Sequence, residues 1–574
     1  MKTKVKILFL GLLLSFINFQ ALAQIPMFSN PIIKGGYPDP SICRVGEDYY
    51  IVNSSFEYFP GLPIHHSKDL ANWTLIGHGL HRKEQWIGRM NLVDVQSNGG
   101  IHAPTIRYHN GKFYIITTNV YQPKKDEPAQ MINFIITASN PEGPWSDPTI
   151  VEGAPGIDPH IFFDDDGKIY YIGNHAPENP NFQGEGEIWM QELDSTSFQL
   201  VGERHFLWRG ACQGTWAEGP HIYKKDGYYY LLIAEGGTSF NHAVMIAASN
   251  NITGPYDAND RNPILSTRHL SYDYWINSTG HADMVELPNG EWRMVCLGIR
   301  NEENRASNMG RETLILPVKW EKEPYWWKEI KYNWPVCNPS TGKIEKNYSY
   351  FLPIQDSIYV PTQREYEFQE NYLTKNWTHR RVPLDNSYDL TTYSGYLTMY
   401  CKEPTIKERT GYNFIGIKQK ETNFEVSTTM RFNPTLDGEE AGLCLIQKDD
   451  NYLLFDVKRE DKENVLQLVI NDKKKNPIIK KDLVMGKKFK SYIELKVIAK
   501  GNTYQYYFRY QSNDLWELFE TTNSDILLSE GYTGAHLGLY ATSNGTKSIN
   551  FAAFDVFKLC LLYTSDAADE FGCV

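Results

Sequence analysis

The chain has 574 residues, a net charge of −12 and no basic run, which argues against nucleic acid as a partner. That length exceeds what one hydrophobic core serves and predicts two domains. Aromatic residues make up 14% of the chain, a composition that suits β structure.

The N-terminus opens with Lys2, Lys4 and Lys6, an apolar run from Ile7 to Phe19 and then Ala21-Leu22-Ala23. That order reads as a secretory leader over residues 1–23, cleaved near Gln24, and predicts a secreted or periplasmic protein. The apolar run is short for a bilayer, and no other membrane-length segment follows. Eight cysteines (43, 212, 296, 337, 401, 444, 560 and 573) are scattered without a C-x-x-C pair. An oxidising compartment permits disulfides, sequence does not give their pairing, and the spacing speaks against structural zinc.

Five similar strand–turn–strand units follow. They run from Pro38-Asp39-Pro40 to Gly46-Glu47, from His102-Ala103-Pro104 to Asn110-Gly111, and from Ile157-Asp158-Pro159 to Asp166-Gly167. The fourth runs from Ala217-Glu218-Gly219-Pro220 to Asp226-Gly227 and the fifth from His281-Ala282-Asp283 to Asn289-Gly290. An interval of about 60 residues holds four short strands, and five such units predict a five-bladed β-propeller over residues 24–340. If the leading strand of each blade is innermost, Asp39, Ala103, Asp158, Gly219 (with Glu218 one residue earlier) and Ala282 converge on the axis. A single Asp-Pro is usually a turn residue. Three acids at one register point instead to an active site, because like charges gathered at an axis cost free energy.

Gly143-Pro144-Trp145 and Gly254-Pro255-Tyr256 read as turns, and Trp73 as a packing residue. Asp164-Asp165-Asp166-Gly167 lacks the later ligands of a calcium loop and reads as a solvated hairpin tip. Residues 341–361 form a polar linker. Over 362–558, alternating strands such as Phe424–Met430, Tyr452–Val457 and Tyr504–Phe508 predict a β-sandwich. From Leu559 to Val574 the strand pattern is expected to stop, in a tail foreign to the domain.

Together Pro38-Asp39-Pro40-Ser41, Gly156-Ile157-Asp158-Pro159, Ala217-Glu218-Gly219-Pro220, Gly280-His281-Ala282 and Gly310-Arg311-Glu312-Thr313 resemble the signature blocks of glycoside hydrolase family 43. Ser55–Gly61, Ile64–Leu70 and Ala234–Thr238 match as well. The resemblance implies an all-β enzyme, a five-bladed propeller followed by a concanavalin-like jelly roll. Its activity would be that of a β-xylosidase or α-L-arabinofuranosidase. Its partner would be an oligosaccharide, with no cofactor required and the oligomeric state open.

The resemblance makes Asp39 the general base, Glu218 the general acid and Asp158 the residue that orients Glu218 and raises its pKa. An inverting mechanism then predicts a separation of roughly 6.5–9.5 Å between Asp39 and Glu218; a retaining furanosidase would need roughly 5–5.5 Å. Phe56, His102, Thr238, His281 and Arg311 are assigned to substrate binding. His281 is also the one candidate ligand, through water, for a calcium in the propeller channel. Where close xylosidase relatives carry Gly-Gly-Ile-Trp-Ala-Pro, this chain has Gly99-Gly100-Ile101-His102-Ala103-Pro104, which leaves xylose against arabinofuranose open. A non-catalytic glycan-binding propeller is the reading from another class, disfavoured because all three acids are present. Gly531–His536 is the sandwich stretch expected nearest the site.

Overall fold

The computed structural model describes residues 27–211, 215–322, 331–354, 363–473, 477–529 and 531–562. The leader, Cys212, Cys573 and the last twelve residues lie outside them. Among the described residues every named element is a β-strand or a single 3₁₀ turn, and no helix is long and apolar enough to cross a membrane.

The first domain is built around five antiparallel sheets, four of them four-stranded and the fourth in chain order five-stranded, because Leu265–Ser266 adds to Ala243–Ser249. Their leading strands are Ser41–Val45, Gly100–His109, His160–Phe163, Glu218–Lys225 and Ile276–Glu286. Each touches the next and the last touches the first, so the five close a ring. The closing turns fit the residues that make them: Asn110-Gly111 and Asp226-Gly227 have both residues at positive φ, as a two-residue hairpin turn requires. Side chains on opposite faces of the blades pack into separate clusters, one around Ile115, Phe134 and Leu80, another around Leu232, Ile246 and Met294.

The second domain is a sandwich of an eight-stranded and a six-stranded sheet. Phe424–Phe432 alternates between buried and more exposed positions along its length, the period of a strand with one face on a core. Phe424, Leu443, Phe455, Leu495 and Phe557 fill the space between the sheets.

Three expectations change. The strand Phe551–Leu561 continues through Leu559, which pairs with Val426 and Arg364, so the sandwich runs past the expected boundary; the central position gives that strand neighbours the sequence pattern does not show. The segment 341–361 is more than a polar connector up to residue 354: Ile344 is fully buried, and Asn347–Ser349 pairs with Met27–Ser29. Asp164 is no solvated tip. It accepts from Lys224 Nζ (2.9 Å) and Tyr229 Oη (2.8 Å), joining the third blade to the fourth. Trp73 packs on the core as expected. Cys43, Cys296, Cys337, Cys401 and Cys444 are buried thiols.

The domains are joined by more than the chain between them. His379–Arg380 pairs antiparallel with Tyr58–Phe59. Arg380, fully buried, donates to Glu57 Oε1 at 2.8 Å and to Asp449 at 3.1 Å. On the other side, Ser307 and Ser529 exchange backbone hydrogen bonds, and Ala535 N–H donates to Asn308 O.

Candidate active site

One backbone feature marks the axis in every blade. Asp39, Ala103, Asp158, Gly219 and His281 all have φ between 32° and 57°. The left-handed residue breaks the strand just where it meets its neighbours, and in the second, fourth and fifth blades the pairing register shifts there. Such an irregularity re-aims a side chain. It also corrects the fifth position: His281, not Ala282, is the equivalent of Asp39, because the register shift between Gly280 and Asp283 moves the fifth blade by one residue. Gly219 is required here for space as well as for φ. A Cβ on it would stand 3.0 Å from His281 Cε1.

Asp39, Asp158 and Glu218 are all buried, at 5, 5 and 9% exposure. Burial would raise the Asp39 carboxyl, but the facing His281 and Arg311 and the Ser54 hydroxyl together hold it below its ordinary value. Ser54 Oγ donates to Asp39 Oδ2 at 2.6 Å while it accepts from Ala103 N–H at 2.7 Å, so the hydroxyl is fixed in the donating orientation. Arg311 Nη1 lies 3.4 Å from Asp39 Oδ1. Burial keeps His281 below its usual pKa, so near neutrality Arg311 is the standing cation opposite Asp39.

Glu218 is pushed the other way, up to about 7, by burial and the negative charge of Asp39, against the pull of Arg311. Asp158 is raised well above the carboxylate range by burial, by Glu218 and by Asp39, although Gly219 N–H donates to it. Burial and the charge of Glu218 both oppose ionisation of Asp158, so the two carboxyls do not both ionise and the pair holds a proton at neutral pH. Asn174 ties their loops together: its Oδ1 accepts from Ile157 N–H and its Nδ2 donates to Ala217 O. Neither Ser54, just past the strand Asp48–Val52, nor Asn174, within Ile169–His175, carries a signal in the sequence, since a lone Ser or Asn makes no pattern.

A cavity of about 830 Å³ opens beside Glu218, walled by Asn174, Phe182, Trp216, Thr238 and, from the sandwich, Tyr532. Trp216 is 47% exposed. Its ring lies against Gly184 and Gly237, where any Cβ would meet it. That leaves an indole face available for stacking, a role the sequence did not suggest for it. Thr238 contributes its carbonyl, which accepts from Arg311 Nη2 at 2.8 Å. The expected approach of Gly531–His536 holds at Tyr532, whose ring sits 4.5 Å from the Arg311 guanidinium and 5.5 Å from Phe56. Phe56 itself is 1% exposed, packed edge-on to His102 at 4.9 Å. His102 is anchored by Nδ1 to Gly100 O. Glu312 does not pair with Arg311; Arg300 takes it at 2.6 Å.

The residues around His281 do not suit a calcium ion, which needs six to eight oxygen ligands. The carboxylate nearest to His281, that of Asp39 at 4.0 Å, is engaged by Ser54 and Arg311. Among the described residues no group of three or more His, Cys, Asp and Glu side chains could hold a metal. One layer further along the axis, the Arg107 guanidinium occupies the channel.

The profile of the glycosyl hydrolases family 43 matches residues 28–325, and that of the β-xylosidase C-terminal concanavalin A-like domain matches residues 365–559. A xylosidase/arabinosidase of Butyrivibrio fibrisolvens is 39% identical over 92% of this chain and 99% of its own. A non-reducing end α-L-arabinofuranosidase of Bacteroides ovatus is 35% identical over 94% and 96%. The solved xylan β-1,4-xylosidase of Bacillus halodurans superposes with a TM-score of 0.83 at 29% identity, covering 93% of this chain and all of that one. With three acids at the axis of five antiparallel sheets and a sandwich that reaches into the cleft, the chain belongs to glycosyl hydrolase family 43 and is a glycosidase.

Proposed function

We propose that the protein removes terminal pentoses, β-D-xylose or α-L-arabinofuranose, from xylan- or arabinan-type oligosaccharides by single-displacement, inverting hydrolysis. The observation that carries the reading is the opposite bias of two carboxyls at one axis. Glu218 is raised to about 7 and Asp39 is lowered. Groups whose surroundings push them apart in this way divide naturally into acid and base. Glu218 protonates the leaving oxygen, and Asp39 takes a proton from the attacking water. Asp158 orients Glu218 and keeps its proton in place. Arg311 and Thr238 fix sugar hydroxyls, and Trp216 stacks on the departing part of the chain.

Tyr532 walls the cleft from the sandwich side, which favours a chain end over a continuous polymer. The relatives named above carry both pentose specificities in their names. His102, where a tryptophan stands in close xylosidase relatives, is the residue we expect to tip the choice. The leader-like residues 1–23 support action outside the cytoplasm.

The test is hydrolysis of p-nitrophenyl β-D-xylopyranoside beside the α-L-arabinofuranoside by the wild type and by Glu218→Ala. A wild-type rate that collapses by about two orders of magnitude or more in the variant supports the assignment. The anomer first released, followed by NMR, decides between inversion and retention. A wild type inert on both glycosides, or an unaffected variant, rejects the reading.

A further inference from the structure

Two residues past the catalytic ring, the leading strands build a second ring. Ser41, Thr105, His160, His221 and Asp283 each follow a left-handed residue by two positions, and all five are buried. Into this ring the second blade sends Arg107. Its guanidinium forms a two-pronged pair with Asp283, Nη1 to Oδ2 at 2.8 Å and Nη2 to Oδ1 at 3.1 Å. Nη1 also reaches Ser41 Oγ at 3.2 Å and Ile42 O at 3.3 Å in the first blade. Nη2 reaches His221 Nδ1 at 3.2 Å and His160 Nδ1 at 3.5 Å in the fourth and third. Tyr223 Oη completes the shell by donating to Asp283 Oδ1 at 2.6 Å.

A carboxylate, a phenol oxygen, a serine oxygen and two imidazole nitrogens facing one axis are what attracts a cation. Here the cation is covalently part of the chain. Arg107, from the second blade, touches all four other blades. Nδ1 of His160 and Nδ1 of His221 both lie within reach of its N–H groups and 3.2 Å from each other, and burial keeps both rings below their usual pKa, so they face the guanidinium as neutral imidazoles. A fixed, planar guanidinium suits this better than an ammonium would, because it presents several donors in one plane.

We propose that Arg107 is a positioning residue that takes the place of a channel metal: it neutralises Asp283 and ties the five inner strands together directly beneath Asp39, Asp158 and Glu218, so that hydrolysis needs no divalent cation. This rests on the family assignment and on no particular sugar specificity. It also explains why a buried aspartate can lie beneath three catalytic carboxyls without adding a fourth unbalanced charge to the site.

The test has two arms, both read with whichever pentoside the wild type cleaves. In the first, wild-type enzyme is dialysed against EDTA and assayed with and without added calcium chloride. The expected kcat/KM is unchanged in both conditions; loss on chelation with recovery on calcium would overturn the proposal. In the second, Arg107→Met is compared with Arg107→Lys. Methionine keeps the bulk but leaves Asp283 without its partner, so kcat should fall roughly 30-fold while KM stays within about twofold; lysine keeps the charge without the two-pronged geometry and should recover part of the loss. An Arg107→Met enzyme with wild-type kcat would overturn the proposal, as would equal loss in both variants with a matching rise in KM. Should Arg107→Met not fold, Arg107→Met/Asp283→Asn removes both charges together and tests the ties to the other blades alone: kcat should still fall, and a wild-type kcat there would overturn the positioning role. The chelation arm requires no variant. An inert wild type would strike at the proposed pentosidase activity, not at Arg107.

Discussion

The Arg311 guanidinium stands 4.5 Å from the ring of Tyr532, and the two belong to different domains. Arg311 follows a propeller segment that hydrogen-bonds to the sandwich through Ser307 and Asn308, and Tyr532 lies in the loop that receives those bonds. The sandwich therefore positions the arginine that faces Asp39. Removing the ring should matter more than removing its hydroxyl. Tyr532→Ala is expected to lower kcat/KM about tenfold, against about twofold or less for Tyr532→Phe, since the cation–π contact and packed area are lost only in the first. Steady-state kinetics on the preferred pentoside checks this.

Opposite pKa biases at the axis set the pH profile. The reaction needs Glu218 protonated and Asp39 ionised. Glu218 is raised to about 7, so the rate should fall as pH rises through about 7. Asp39 is held below its ordinary value, so the acid side should hold until pH drops below the usual carboxylate range. A profile of kcat/KM from pH 3 to 9 reads both limbs. A basic limb that persists unchanged in Asp158→Asn would count against the coupling of the two carboxyls.

Ser54 gives the acid limb a handle. Its hydroxyl is one of the groups that hold Asp39 down. A hydrogen bond to a charged group is worth about 1.5–3 kcal/mol, so Ser54→Ala should shift the acid limb upward by roughly one to two pH units. The same profile, measured on that variant, decides it.

The proton at Glu218 also bears on stability. Its pKa is higher in the folded site than in the unfolded chain, so the folded state binds that proton more tightly. The stability this gives is complete below the unfolded value and is lost as pH rises through about 7. Glu218→Gln removes the need to bury a charge at high pH. The variant should therefore melt increasingly above wild type as pH rises from about 4.5 to about 7, and by a constant amount above that, on the order of 1–3 kcal/mol. Calorimetry of the inactive variant beside the wild type measures it.

Arg380 and Glu57 are both fully buried where the sandwich meets the loop that carries Phe56. Arg380→Met would leave Glu57 charged without its partner, and breaking such a pair costs about 3–5 kcal/mol. We expect a melting temperature lower by several degrees, together with reduced activity, because the strand pairing at Tyr58–Phe59 is anchored by the same side chain.

The repeat was legible in the sequence because each blade writes it locally. An Asp or Ala ahead of a strand and a Gly-containing turn after it recur at a nearly constant interval, and those residues are dictated by backbone conformation within a few positions. The acids Asp39, Asp158 and Glu218 stood out for the same reason, since each sits at that repeated backbone break. The sandwich was readable from alternation alone, although its last strand ran on to Leu561, because the central position of that strand is set by neighbours rather than by its own pattern.

What tertiary structure alone decided lies across blades and across domains. Whether His281 or Ala282 faces the axis turned on one register shift, which no residue type announces. Ser54 and Asn174 each tie a partner 15 or 17 residues away to another more than 40 away, and Tyr532 acts from the other domain. Arg107 meets Asp283 across 176 positions. Local sequence fixes φ, turns and periodicity, because those depend on a few consecutive residues. Proton affinity and substrate shape depend on charges and surfaces brought together only when the ring closes and the sandwich docks on it.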